Sequence, residues 1–305
     1  MNDIEKNLLK TVADMYEIPS GAYNIRANGG LGGRNVTENI NIVTKTDKPG
    51  IDIIIKANTK NETVHIPVIV SESGLHDMVY NDFYVGENSD VTIVAGCGIH
   101  NCGNDGSSHD GIHTFYVGKN ARVKYIEKHY GEGDGSGERI MNPTTIVNLE
   151  ENSYMEMETT QIKGIDSTFR KTTATVGDNA SIVIHEKIMT HGKQNAKTDF
   201  TVDLNGKDST ANVVSRSVAK ENSRQTFYSN VNGNNKCYGH TECDAIIMDN
   251  GKVAAIPQVS ANNIEASLVH EAAIGKIAGE QLIKLMTLGL TEKQAEEQIV
   301  NGFLK

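Results

Sequence analysis

The amino-acid sequence predicts a mainly β chain, a parallel β-helix with a short α-helical segment at either end. Three observations carry that reading: a turn frame recurs at intervals of about 30 residues, apolar residues alternate on both sides of each turn, and helical spacing is confined to the two ends. The 305 residues are 38% hydrophobic and 22% charged, enough apolar material for a sizeable core. Tryptophan is absent and aromatics are 5%, so that core has to be built from stacked aliphatic layers.

The elements follow in order. Ile4, Leu8, Val12 and Met15 lie at helical spacing behind Asp3, a capping type, which predicts an amphipathic helix over 3–15 within a terminal segment 1–20. The β-helix is expected over 21–277. Its frame is plainest at Asn88, Asn120, Asn152 and Asn179, spaced 32, 32 and 27 residues apart. Five residues before each lie Phe83, Phe115, Val147 and Ala174, and three before lie Val85, Val117, Leu149 and Val176. Three residues after come Val91, Val123, Met155 and Ile182, and five after come Ile93, Tyr125, Met157 and Ile184. Period-two alternation on both sides means two half-buried strands per repeat, meeting at a corner where asparagine tolerates the left-handed conformation. Stacked about 4.8 Å apart, such coils place those four columns over one another and the asparagines in a ladder. An antiparallel sandwich also turns often, but gives no reason for one frame at this longer period. The frame continues upstream over 51–56 and 64–70, and downstream, with slippage, over 202–214 and 245–248. The glycine-rich run 131–137 reads as a flexible surface loop, with Glu132, Asp134 and Glu138 as a candidate cation set. Over 278–305 helical spacing returns: Leu282, Leu285 and Met286 share a face, Gly289 is a stop, and Thr291 with Gln294 forms a capping box for a last helix.

Charge and motifs narrow the function. Lys plus Arg number 29 against 39 Asp plus Glu, a net charge of −10 that argues against nucleic acid as a partner. No run approaches the roughly 18 apolar residues of a membrane span, and the acidic N-terminus is unlike a signal peptide, so a cytoplasmic location with no membrane partner is expected. Four cysteines then read as reduced thiols, structural or metal-binding. The run Gly29-Gly30-Leu31-Gly32-Gly33-Arg34 lacks the features of a phosphate loop or dinucleotide fingerprint, so ATP hydrolysis in this chain is not expected. Neither a Gly-x-Ser-x-Gly elbow nor a His-Glu-x-x-His pair occurs.

Two clusters could carry chemistry. Cys97, His100, Cys102, His109 and His113 offer soft and borderline ligands to zinc or iron, although their spacing fits no standard finger. The plainer reading is buried thiols and polar loop histidines between two coils. The second cluster is C-terminal, with Cys237 and Cys243, then Val269-His270-Glu271-Ala272 about one repeat later, close enough for neighbouring coils. His270 would point inward with Leu268 and Ala272, as a core histidine or as a ligand.

The stretch Gly239-His240-Thr241-Glu242-Cys243-Asp244-Ala245-Ile246-Ile247-Met248, then Ala255-Ile256-Pro257, Leu268-Val269-His270-Glu271-Ala272-Ala273-Ile274-Gly275-Lys276-Ile277, Glu280-Gln281-Leu282 and Leu288-Gly289-Leu290-Thr291, resembles the core domain of the SufB and SufD scaffold family of iron-sulfur cluster assembly. The resemblance is strongest over about the last 70 residues and weaker upstream. It implies a right-handed parallel β-helix with helical ends, pairing between family members, and a SufC-like ABC ATPase partner. It places the family's cluster cysteine at Cys243 and its His-Glu pair at His270 and Glu271. In the family one partner brings the cysteine and the other the histidine, whereas this chain carries both, so a homodimer could supply the whole site. The chain departs from the family in being shorter than SufB and in lacking its additional N-terminal cysteine motif, which puts a second site in doubt and leaves Cys97, His100, Cys102 and His113 as weaker candidates.

The expected function is therefore an assembly scaffold, not an enzyme, on which a transient iron-sulfur cluster is built from a sulfur donor and passed to apo-protein acceptors. ATP would be used by the partner, contacted by the C-terminal helices through Leu282, Leu285 and Met286. A β-helix enzyme acting on carbohydrate and a purely structural interaction module are the alternatives; the scattered acids and the charge of −10 count against an anionic sugar polymer.

Overall fold

The computed structural model describes residues 2–305 and is a parallel β-helix of about eight coils, with one helix at its start and two at its end. From residue 76 onward each coil contributes a strand, once split into 139–141 and 144–149, to each of two facing sheets, so the chain alternates between sheets and hydrogen-bonded neighbours come from successive coils. Among the described residues all pairings are parallel except two at the N-terminal end, 22–27 with 30–35 and 40–44 with 50–55, where short antiparallel pairs begin the stack.

The corner chemistry explains the frame. Asn88, Asn120, Asn152 and Asn179 have φ of 58°, 57°, 58° and 52°, in the left-handed region that asparagine reaches more cheaply than other side chains. Each donates its backbone N–H to the carbonyl preceding the next corner residue: Asn88 to Lys119 at 2.9 Å, Asn120 to Glu151 at 3.1 Å, Asn152 to Asp178 at 2.9 Å. Asn58 and Asp208 make the same bond, to Glu87 at 2.8 Å and Lys236 at 2.6 Å, and carry the frame one coil further in both directions. The residue after each corner is small and buried, namely Thr59, Ser89, Ala121, Ser153, Ala180 and Ser209. There the chain turns inward and a larger side chain would meet the coil above.

The expected columns are in register. Val85, Val117, Leu149 and Val176 pair in sequence, as do Val91, Val123, Met155 and Ile182, and Ile93, Tyr125, Met157 and Ile184. Phe83 stacks on Phe115 with ring centroids 4.3 Å apart. Each fully buried aliphatic or Phe side chain contributes roughly 1.5–3 kcal/mol, so repeating one column over many coils holds the stack without a tryptophan.

The first and last helices lie on the outer face of one sheet. Helix α1 (Asp3–Ala13) is capped by Asn2 rather than Asp3, in a reciprocal box with Glu5, and stops two residues short of the expected end because Asp14 turns left-handed at φ 53°. It buries Leu8, Leu9, Val12 and Ala13 against Ile25, Ile69 and Val94. Gly96 permits this, since a Cβ there would lie 2.0 Å from the Val12 carbonyl oxygen. Helices α2 (Gly279–Thr287) and α3 (Glu292–Phe303) end the chain; α3 is capped by Thr291 and Gln294 as expected, and Val300 and Leu304 pack against Val218.

The glycine-rich run is not the flexible loop its composition suggests. Gly135 and Gly137 donate to the Asn101 and Gly103 carbonyls at 3.2 and 3.0 Å, laying this turn on the turn below it. Glu132 and Asp134 take partners on that lower turn, so they do not gather into a cation set with Glu138.

Asn120→Val should cost about 1 kcal/mol, the price of a β-branched residue at a left-handed corner, while Asn120→Gly should cost less. Urea unfolding midpoints of the two variants check this; equal loss in both would show that the side chain, not the backbone, matters.

Candidate functional site

Strands Cys237–Ile247 and Ala266–Gly275 are neighbours in one sheet, with Thr241 opposite His270, Glu242 opposite Glu271 and Cys243 opposite Ala272. Strand alternation then sorts the expected site residues. Cys243 and His270 both face inward, on adjacent strands and staggered by two residues. His270 continues the aliphatic column of Met157, Ile184 and Val213, and its Nδ1 lies 2.6 Å from the Thr241 hydroxyl. Burial, followed by the nearby His240, lowers its pKa. The Cys243 thiol is pushed up to about 12, first by burial and then by Glu186 and Asp244. It is therefore held protonated until something displaces the proton.

Glu271, the next residue, faces outward. There its Oε2 lies 3.6 Å from His240 Nε2. His240, Glu242 and Glu271 have ligand atoms all within 4.8 Å of one another, a set that could hold a metal ion. Asn212 Oδ1 accepts from His240 Nδ1–H at 2.9 Å, which leaves the Nε2 lone pair toward the carboxylates. Neither His240 nor Glu242 stands out in the linear sequence; the signal is a His-x-Glu strand spacing whose outward face meets Glu271 only through the register.

Cys243 also ends a polar column inside the helix. Successive pairings run Glu127, Thr159, Glu186, Ser215, Cys243. Arg170, from the facing sheet, bonds to Glu127 and lies 3.6 Å from Glu186. Burial alone would raise Glu127, but Arg170 and His129 hold it well below the carboxylate range. Glu186 is instead raised, because burial outweighs Arg170 even with Ser215 and Thr198 donating to it at 2.7 and 2.9 Å. The chain continues as Glu127 accepting from the Tyr125 hydroxyl at 3.0 Å, Tyr125 from His113 Nδ1–H at 2.8 Å, and His113 Nε2 from Asn81 at 3.2 Å.

The other expected cluster is dispersed. Cys97 is inward among Val68, Val70, Ile99, Met141 and Ile165, its thiol raised well above the usual value by burial. His109 is interior and bonds Asp77 at 3.1 Å, while His113 lies in the relay above. His100 and Cys102 lie at a corner, with Cys102 Sγ 3.0 Å from His100 Nε2. Among the described residues no three of these five converge as metal ligands.

Residues 72–303 match the family description "SUF system FeS cluster assembly, SufBD core domain". Over 246 residues the chain is 29% identical to an iron-sulfur cluster assembly SufBD family protein of Methanothermobacter thermautotrophicus, covering 78% of this chain and 57% of that relative. A SufBD family protein of Methanocaldococcus jannaschii is 28% identical over 255 residues, 83% of this chain and 79% of the relative. The iron-sulfur cluster assembly protein SufB of Bacillus subtilis is 36% identical over 102 residues, 32% of this chain and 22% of its own. The chain thus spans little more than half of the first of these proteins.

Burial lowers His113 to about 4. The folded form stays neutral while the unfolded form takes up a proton below about 6.5, so stability present at pH 7 is lost as pH falls from about 6.5 toward 4, by roughly 3 kcal/mol. Urea unfolding at pH 7.5 and 5 should show this slope, and His113→Gln should flatten it by about one proton.

Proposed function

Because the chain belongs to the SufBD core family of iron-sulfur cluster assembly proteins, we propose that it is a non-enzymatic scaffold that receives iron and sulfur, holds the nascent cluster and releases it to apo-proteins in the cytoplasm. The observation that carries this reading is the placement of Cys243 and His270 as inward neighbours on the last coils, where the stack stops. Thiolate is the soft ligand that iron-sulfur clusters require, and neutral imidazole is a weaker companion that suits cargo meant to leave. A thiol held near 12 stays silent until iron or sulfur displaces its proton.

Glu271, with His240 and Glu242, sits on the opposite side of the same strands and positions incoming iron there. Strands Lys252–Ala261 and Ala266–Gly275 each have one hydrogen-bonding edge unpaired, and Pro257 is tolerated on such an edge. A second copy pairing with these edges would bring each copy's cysteine and histidine to a shared site. The ATP-using partner is a SufC-like ABC ATPase, whose closure would pull the last coils apart and expose Cys243. Its contact is α2, where Ile283 is 62% and Met286 42% exposed and Leu282 and Leu285 lie half-buried beside them.

Anaerobic reconstitution with iron and sulfide should give a broad visible charge-transfer absorbance that Cys243→Ala removes in large part; an unchanged spectrum in that variant overturns the site. A stable complex should form with an ABC-type ATPase from the same organism. Met286→Glu, at an exposed position that leaves the fold intact, should weaken that complex, and so should deletion of 279–305. Full binding by both variants discards α2 as the contact.

A further inference from the structure

The N-terminal end of the stack holds a cavity that neither the cluster site nor the core uses. The hairpin 22–35 begins one sheet and the hairpin 40–55 begins the other, and between them lies a space of about 330 Å³. Ile51, Ile66, Val68 and Val79 give it an apolar lining, and Arg26, Arg34, Lys45 and Lys48 give it four cations. Among the described residues that line it there is no carboxylate, in a chain whose net charge is −10. A cleft lined by one sign of charge concentrates ions of the other.

The four cations are not equivalent. Arg26 Nη2 donates to Asp77 Oδ1 at 2.6 Å, and Lys45 donates to Asp52 and, at 2.7 Å, to Asp82. None of these three carboxylates lines the cavity, yet they compensate Arg26 and Lys45 from behind it. Arg34 and Lys48 have no carboxylate partner among the described residues. Arg34 donates Nε–H to Asn24 Oδ1 at 2.8 Å and Nη1–H to the Ile42 carbonyl at 3.4 Å, and burial lowers its pKa with no anion to offset it. A guanidinium has five N–H donors; these two bonds orient it and leave the rest of its fork for a ligand. Lys48 Nζ lies 4.6 Å from the Tyr80 ring centroid, which steadies a long side chain without neutralising it. The glycine-rich run supplies another wall. Asn28 and Gly29, with φ of 46° and 76°, form a two-residue hairpin turn, and Gly29 and Gly30 bring no side chain into the space.

We propose that this cavity binds a small organic phosphate monoester, its phosphate held by Arg34 and Lys48 and its organic body against the apolar lining. A phosphate monoester carries about −1.5 to −2 at neutral pH, which matches the two uncompensated cations. A single carboxylate would leave one of them unmatched, and inorganic phosphate would leave Ile51, Ile66, Val68 and Val79 facing water. Recognition by a guanidinium fork needs no phosphate loop, in keeping with the lack of one in 29–34. The volume lies at the small end of ligand sites, sized for one such ester. Because the lining comes from both hairpins, a bound ester ties the first strands of one sheet to those of the other. Cys243 stands at the opposite end of the stack, so the two sites share no residue and neither reading rests on the other.

The test is titration calorimetry on the full chain with phenyl phosphate as probe, beside inorganic phosphate and phenol. Phenyl phosphate should bind once per chain and raise the thermal unfolding midpoint. Inorganic phosphate should bind about tenfold more weakly, for want of the buried ring, and phenol should give no heat. Arg34→Gln should weaken phenyl phosphate by about tenfold or more. Lys48→Gln, at an exposed position that leaves the fold intact, should weaken it less, with unchanged circular dichroism in both variants. Lys119→Gln, at an exposed corner cation outside the cavity, should leave the affinity as it was. No binding of phenyl phosphate, full affinity in both Arg34→Gln and Lys48→Gln, or an equal loss in Lys119→Gln overturns the site. Phenol binding as tightly as phenyl phosphate overturns the phosphate assignment, and inorganic phosphate binding as tightly overturns the role of the apolar lining.

Discussion

Parallel stacking in register is the constraint on which the rest of this structure depends. Each corner residue donates its N–H to the coil above, so the strands that leave the corner have no freedom to slide. A one-residue slip would turn every inward side chain outward. Like therefore stands largely on like, and the interior becomes a set of columns, some apolar over most of the stack and others polar over several coils. The carboxylates of the polar column that Cys243 ends are tolerable because neighbouring groups satisfy them, whereas the Thr159 hydroxyl between them is left without a partner. Arg170 lies between Glu127 and Glu186, and hydroxyls from Thr198 and Ser215 take the remaining positions on Glu186. Removing one member of such a buried set leaves an unpaired charge, whereas the intact set is near neutral in cost.

The same alternation that orders the core divides the chemistry of the last two coils. His270 and Glu271 are adjacent in sequence, yet one looks into the helix and the other to solvent. The inner side offers the buried Cys243 thiol and the part-buried His270 imidazole. The outer side supplies carboxylates and one imidazole within reach of water. A wall one strand thick thus presents two sets of donor atoms back to back, a thiol and an imidazole inside and a harder, carboxylate-rich set outside.

Much of this fold is legible in the sequence because corner chemistry is local. Asn88, Asn120, Asn152 and Asn179 announce their conformation by residue type, and the apolar positions flanking them follow from period two. Asn58 is missed because Asn61 and a strand irregularity lie beside it, and Asp208 because the residue type changes. The polar column is hidden for another reason. Glu127, Glu186 and Cys243 are each two coils apart and share nothing but register, so no short window along the chain contains two of them. Cys97 and Cys102 show the converse. They are close in sequence, but the strand carries one inward and the corner carries the other outside, where its neighbour His100 meets Glu132 from the following coil. The glycine-rich run is misread as slack because composition reports freedom of the isolated chain, whereas here glycine serves close approach between backbones.

The unequal repeat has its own consequence. Two coils of 32 residues are followed by one of 27, and the shortening falls where 133–138 gives way to the brief turn between Lys163 and Ser167. Strand lengths hardly change, so the phase of inside and outside is kept while five residues vanish. Deletions and insertions in this architecture are thereby channelled to the bends on one flank, and whole coils can be gained or lost between the two ends without disturbing what either end does.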